Sequence, residues 1–170
     1  IYGSGTASTT LDDLSKADLV VVAGANPASN HPRLVTQLIK LRRRGGKVIV
    51  VNPMSELGLR RFRLPSDARS LAAGSQVSDL YLQPRIGGDI ALFTALLALV
   101  AWDEGFVAEH TAGADDVRAR LADLDVAELA TASGVPLAQI REAAALISHA
   151  KRGVFMWSMG LTHHEHGTDN

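Results

Sequence analysis

The fold of this chain is decided by residues 18–53, which read DLVVVAGANPASNHPRLVTQLIKLRRRGGKVIVVNP. Residues 19–23 and 47–51 are short, almost continuous apolar runs, a pattern typical of strands buried on both faces of a parallel sheet. Between them, an apolar stripe at helical spacing predicts a helix over 33–44, and a Gly-Gly pair ends it. Strand, helix and strand in this order predict a right-handed βαβ unit with parallel strands.

Further strands and helices are predicted on both sides of this unit. The strands are 79–82 and 153–157, and the helices are 11–17, 90–104, 115–121, 126–131 and 137–150. If the first strand lies centrally, the spatial order of the strands is 3-2-1-4. We therefore predict the α/β class, with one domain over 1–170 built on a small parallel Rossmann-like sheet that has helices on both faces. Residues 54–78, rich in Gly, Ser and Arg, are predicted to form a long surface loop.

Composition excludes several kinds of site. The chain has 170 residues and a formal net charge of −1, so no overall field favours nucleic acid or an anionic membrane. It contains no cysteine, which excludes disulfides, thiolate metal sites and iron–sulfur ligation within these residues. The longest apolar stretch, 90–102, is shorter than the about 20 residues that span a bilayer. A cytoplasmic location is expected, and the lack of an initiator Met favours a piece of a longer protein.

Polar and turn-forming residues follow the first strand. Ligands of open parallel sheets bind beyond the carboxyl ends of the strands, so the ends of the first and fourth strands should face one crevice. Gly24 suits close approach of another molecule to the backbone, and Asn26, Ser29 and Asn30 offer donors and acceptors. The same side chains also suit a helix cap, so the sequence leaves cap and ligand site equally open. It contains neither the G-x-G-x-x-G fingerprint nor a Walker motif.

Two charged or polar clusters have more than one interpretation. THHEHG, residues 162–167, lacks the i, i+4 helical spacing of a His-Glu-x-x-His zinc site. On a strand at most two or three of its side chains converge, so a metal site is less favoured than a cofactor-facing His163 or a plain polar loop. The arginines at 60, 61, 63 and 69 form a local basic patch, for which a solvated loop is the simplest interpretation.

Several segments, taken together and in order, resemble one family. They are ADLVVVAGANPASNHPRL, GGKVIVVNP, IGGDIAL, FVAEHTAG, ASGVPLAQIREAA and FMWSMGLTHHEHG. Together they resemble the molybdopterin oxidoreductases, and within them the formate dehydrogenase-like alpha subunits. The resemblance covers essentially the whole chain, and residues 31–53 carry most of it.

The resemblance implies a molybdenum or tungsten oxidoreductase that acts on a small-molecule substrate and holds two molybdopterin guanine dinucleotides per full-length chain. Residues 1–170 would then be the segment that binds one guanine dinucleotide. The residues implied to line this cofactor are Gly24, Asn26, Ser29, Asn30, Asn52, Pro53, Gly87, Asp89, Met159, Gly160 and His163. The metal ligand, any iron–sulfur cluster and the electron-transfer partner are expected outside this segment, which alone should be inactive.

One motif departs from the pattern of the family. The second strand is followed by Asn52-Pro53-Met54, where formate dehydrogenases often have Asp-Pro-Arg. The resemblance thus implies that an acidic contact to the cofactor is replaced by a neutral one and that a cation is lost. The arginine-rich segment 60–69 is a candidate source of a replacement cation. Two alternatives stay open: a non-catalytic scaffold relative of the same fold, and a nicotinamide- or flavin-binding domain, which the missing G-x-G-x-x-G disfavours.

Overall fold

The computed structural model describes residues 7–170. Within them the strands are β1 (Leu19–Ala23), β2 (Lys47–Val51), β3 (Arg61–Phe62), β4 (Ser75–Gln76), β5 (Leu80–Leu82) and β6 (Gly153–Trp157). The helices are α1 (Pro27–Asn30), α2 (Pro32–Arg43), α3 (Leu57–Arg60), α4 (Ala68–Ala73), α5 (Asp89–Leu99), α6 (Glu104–His110), α7 (Ala114–Ala122), α8 (Val126–Ser133), α9 (Leu137–His149) and α10 (Met159–Thr162).

The main sheet is parallel throughout and has the spatial order β5-β2-β1-β6. Counted within this sheet alone, the order is third, second, first and fourth, which confirms the predicted 3-2-1-4. The higher labels β5 and β6 arise because β3 and β4 form a separate antiparallel pair. Since β1 is central, its carboxyl end lies beside the ends of both β2 and β6, and this arrangement positions the site described below.

The sheet is packed between two apolar layers. Alternate residues of β1 point to opposite faces, as the two-residue period of a strand requires. Val21 and Ala23 join the core under α5, α8 and α9, whereas Val20 and Val22 join the core under α2. These layers confirm the predicted α/β class with helices on both faces.

Residues 54–78 form helices and a strand pair, so the predicted long surface loop is wrong. They contain α3, α4 and the β3–β4 pair, because Leu59, Leu64 and Val77 reach the core beside α2. The buried Ser70 hydroxyl accepts a hydrogen bond from the Leu64 N–H at 3.0 Å, and Asp67 caps α4 by accepting from the Ser70 N–H at 3.0 Å. The apolar anchors and these local bonds together hold the segment against the domain.

Two predicted helices are shorter in the structure. The helix expected over 90–104 ends at Leu99, after which Val100 is extended and the Ala101 N–H donates to the Ser148 hydroxyl at 2.9 Å. The next helix, α6, starts at Glu104 under an Asp103 cap. The helix expected over 11–17 is only a 3₁₀ turn, Asp13–Ser15.

Among the helices of residues 7–170, none is by itself long and apolar enough to cross a bilayer. Only α5 and α6 together reach that length and composition, and they are bent by 109° relative to each other.

Candidate functional site

The carboxyl ends of β1 and β6 meet through their backbones. The Ser158 N–H donates to the Ala23 carbonyl at 3.2 Å, and the Gly160 N–H donates to the Gly24 carbonyl at 3.0 Å. This confirms the prediction that the ends of the first and last sheet strands lie side by side.

Gly24 and Gly160 are required at this junction by the close approach of the chain to itself. Gly24 has a φ of 59°, and a Cβ atom added there would lie 2.5 Å from the Leu161 nitrogen. A Cβ atom added at Gly160 would lie 2.6 Å from the Gly24 carbonyl oxygen. In the structure Gly24 admits the backbone of α10. The predicted contact of Gly24 with another molecule stays a prediction.

Asn26, at the same edge, has a side-chain oxygen that no described residue bonds. It occupies the N-cap position of α1, yet its side chain makes no capping hydrogen bond. Its Oδ1 atom is buried and has no hydrogen-bond partner among residues 7–170. Buried polar atoms almost always have a partner, because leaving one unpaired costs about 1–3 kcal/mol. Of the two interpretations that the sequence leaves open for Asn26, the structure does not show the side-chain cap, and a ligand contact stays a prediction.

Ser29 and Asn30 lie at the exposed surface of α1. The Asn30 side-chain oxygen is 2.7 Å from His31 Nδ1, so it is engaged locally. α1 has only four residues, and its N-terminus alone does not define an anion site. The side chains of Ser29 and Asn30 are close to Asn26 in sequence, and their contact with a cofactor stays a prediction.

Asn52 shapes the loop that presents Asn26. Its Oδ1 accepts from the Met54 N–H at 2.9 Å, and its Nδ2 donates to the Ala25 carbonyl at 3.4 Å. Its own N–H donates to the Leu82 carbonyl at 3.0 Å, which ties the ends of β2 and β5 together. The Asn52 amide is therefore satisfied within the chain, in contrast to that of Asn26. Pro53 is exposed and follows directly.

Asp89 is a buried carboxyl at the first position of α5, with an exposed fraction of 7%. Burial raises its pKa, and the nearby charge of His164 and the Asp89 backbone N–H partly oppose that rise. Asp89 is therefore a buried acidic group at the start of α5. Gly87 precedes α5 in an exposed turn with a φ of 81°.

The segment after β6 is helical and turn-like instead of extended. Met159 and His163 are exposed at the two ends of the short helix α10, and the His163 N–H donates to the Met159 carbonyl at 2.8 Å. His164 Nε2 is 2.8 Å from the Gly160 carbonyl oxygen, and His166 Nδ1 is 3.6 Å from an Asp169 carboxylate oxygen. The strand geometry considered for 162–167 is therefore wrong. Residues 7–170 contain no group of three or more His, Asp or Glu side chains placed to hold a metal ion.

Arg60 lies at the same edge of the sheet, near the ends of β2 and β5. Its guanidinium lies 4.4 Å from the centre of the Tyr81 ring and bonds to the Ser55 hydroxyl and, at 3.2 Å, to the Gln83 side-chain oxygen. Arg61 donates to the Ala73 carbonyl at 3.0 Å. Of these two arginines, Arg60 is placed beside the end of the second strand, where the family resemblance implies that a cation has been lost.

These features define a class of protein: a parallel α/β protein whose candidate ligand edge is built where β1 and β6 meet. This is the position at which open parallel sheets generally bind their ligands. Comparison with known proteins gives the family.

The chain belongs to the molybdopterin oxidoreductase family, whose model matches residues 3–170. It is 39% identical to an uncharacterized oxidoreductase of Mycobacterium tuberculosis, Rv2900c, over 96% of this chain and 22% of that protein. It is 29% identical to formate dehydrogenase H of Escherichia coli, over 98% of this chain and 22% of that protein. The chain therefore spans less than a quarter of the length of these relatives. The match to formate dehydrogenase H confirms the resemblance to formate dehydrogenases.

A solved structure shares the fold. Acetylene hydratase from Pelobacter acetylenicus superposes with a TM-score of 0.69 at 18% identity, over 87% of this chain and 19% of that one. At this identity the likeness describes the fold alone.

Proposed function

We propose that this chain is the part of a molybdenum or tungsten oxidoreductase, similar to formate dehydrogenase, that binds one molybdopterin guanine dinucleotide. The observation that carries the proposal is the buried, unpartnered Oδ1 of Asn26 at the junction of β1 and β6. A polar cofactor with N–H and O–H donors would satisfy this acceptor, which no described residue does. The family membership supports the choice of a molybdopterin cofactor.

The chain's own residues would bind and orient this cofactor. Gly24 and Gly160 fix the junction, and Asn52 holds the loop that presents Asn26. Asn26 Oδ1 would accept a hydrogen bond from the cofactor there. Asp89 is a buried carboxyl at the start of α5, which could accept from the N–H groups of a base. Arg60 offers a cation near the end of β2 for a diphosphate.

The remaining predicted cofactor residues have a supporting role in this proposal. Ser29, Asn30, Pro53, Gly87, Met159 and His163 are exposed and would contact the cofactor only at its margins. The metal–pterin group, when bound, would supply two-electron redox chemistry, and the protein would supply binding, orientation and electrostatics. A small-molecule substrate, an electron-transfer partner, an iron–sulfur cluster elsewhere in the full-length chain and a cytoplasmic location stay predictions.

The proposal is tested by the metal and nucleotide content of the full-length protein. We expect molybdenum or tungsten near one per chain and guanine nucleotide near two per chain after acid hydrolysis. Asn26→Leu should lower both contents, while Leu57→Ser, at an exposed surface residue, should lower neither. Bound flavin or nicotinamide, or an absence of both metal and guanine nucleotide from wild-type protein, would contradict the proposal. An absence of both metal and guanine nucleotide would favour the non-catalytic scaffold.

A further inference from the structure

The edge strand β6 differs from the rest of the main sheet in its burial. All five residues of β1 are buried, and so are all three residues of β5 at the opposite edge. In β6, Phe155 is 50% exposed and Trp157 is 49% exposed. Parallel sheets are almost always covered on both faces, so an apolar parallel strand left half open is unusual.

The two aromatic side chains continue an existing core layer. In the β1–β6 register Phe155 lies beside Val21 and Trp157 lies beside Ala23. Val21 and Ala23 belong to the core under α5, α8 and α9. Phe155 and Trp157 are therefore on the same face of the sheet, where about half of each residue is left uncovered.

The backbone of β6 also has an outward side. The Ser158 N–H donates to the Ala23 carbonyl, so every second N–H group counted back from Ser158 along β6 also points toward β1. Phe155 is three positions before Ser158, so its N–H points away from β1. Among the described strands, β6 ends the sheet on this side. Such an edge is a template for pairing with another strand.

We propose that polypeptide outside residues 1–170 of the full-length protein adds a further parallel strand beside β6 and covers Phe155 and Trp157. The supply of chain supports this occupant, since residues 1–170 span only 22% of the length of the two curated relatives described above. The parallel direction of every pair in the main sheet supports the orientation of the added strand. This inference is independent of the cofactor assignment, because it concerns the face and edge of β6 and not its carboxyl end.

Hydrogen exchange on the wild-type full-length protein tests the added strand. The Phe155 amide should exchange at least on the order of a hundredfold more slowly than an unstructured amide, because a strand partner would bond it. Exchange of the Phe155 amide near the unstructured rate would overturn the proposal.

A matched pair of variants tests the covered face. Phe155 and Leu71 are equally exposed in residues 7–170, at 50% and 51%. In the full-length protein Phe155→Lys should lower the thermal midpoint by about 5 °C or more, and Leu71→Lys should change it by less than about 2 °C. Equal small shifts would overturn the proposal. Sedimentation supplies a second contradicting result. If the wild-type protein were a dimer and the Phe155→Lys variant a monomer, a second copy of the chain would cover this face, and the proposal would be overturned.

Discussion

Replacing Asn26 with Leu in the cofactor-free full-length protein should leave its stability unchanged or raise it. Asn26 Oδ1 is buried without a partner among residues 7–170, so the folded state carries the cost of desolvating this acceptor. Such a cost is about 1–3 kcal/mol, and a side chain of similar size without polar atoms removes it. We therefore expect the free energy of opening around β1 to rise by about 1 kcal/mol, while the cofactor content falls.

Asn52→Leu is the matched control, because it makes the same chemical change at an asparagine whose amide is bonded. Asn52 would lose its bonds to the Met54 N–H at 2.9 Å and the Ala25 carbonyl at 3.4 Å. We expect a loss of about 1–2 kcal/mol in this variant. Hydrogen exchange of the β1 amides, measured against urea concentration, gives the local opening free energy in both variants. Destabilisation of β1 by Asn26→Leu as large as that by Asn52→Leu would show that Asn26 has a structural partner, and would contradict an unpaired Oδ1.

Two further predictions follow from the same edge of the sheet. Gly24→Ala should lower the free energy of unfolding by about 3 kcal/mol or more in denaturant, because the added Cβ would lie 2.5 Å from the Leu161 nitrogen. The control Gly45→Ala, at a φ of 95° with nothing within 4 Å of the added Cβ, should lower it by only about 1 kcal/mol. Equal losses of stability in the two variants would contradict the close approach at Gly24. Burial raises the pKa of Asp89 above its ordinary value of 3.8. The contribution of Asp89 to the stability of the folded state is therefore fully present below pH 3.8 and is lost as pH rises through the raised pKa. Asp89→Asn should therefore make the cofactor-free protein more stable than wild type at neutral pH, with the gap closing below pH 3.8, and an unchanged pH profile of unfolding would count against it.

The main sheet could be predicted because its signals are local. Residues 19–23 and 47–51 are apolar runs bounded by turn-formers, and the βαβ rule then fixes their direction. The placement of β6 beside β1 follows from the same logic, and the structure confirms it.

The parts that were wrong depend on contacts between distant residues. The order in 54–78 comes from Leu59, Leu64 and Val77, whose burial beside α2 cannot be seen in an irregular stretch of sequence. The break after Leu99 depends on Ser148, forty-seven positions after the Ala101 N–H that it binds.

The candidate site was predictable in its location but not in the roles of its residues. The sequence identifies Gly24 and Asn26 as unusual, yet only coordinates show that Gly24 admits Gly160 and that Asn26 Oδ1 lacks a partner among the described residues. The burial of Asp89 at the start of α5 is likewise not signalled by periodicity or composition.

A structure of the full-length protein with its cofactor bound tests the central claim most directly. We expect the guanine dinucleotide at the junction of β1 and β6, with Asn26 Oδ1 within about 2.7–3.2 Å of a donor on the cofactor. A cofactor bound away from this junction, or an Asn26 Oδ1 that accepts from another part of the protein, would contradict it.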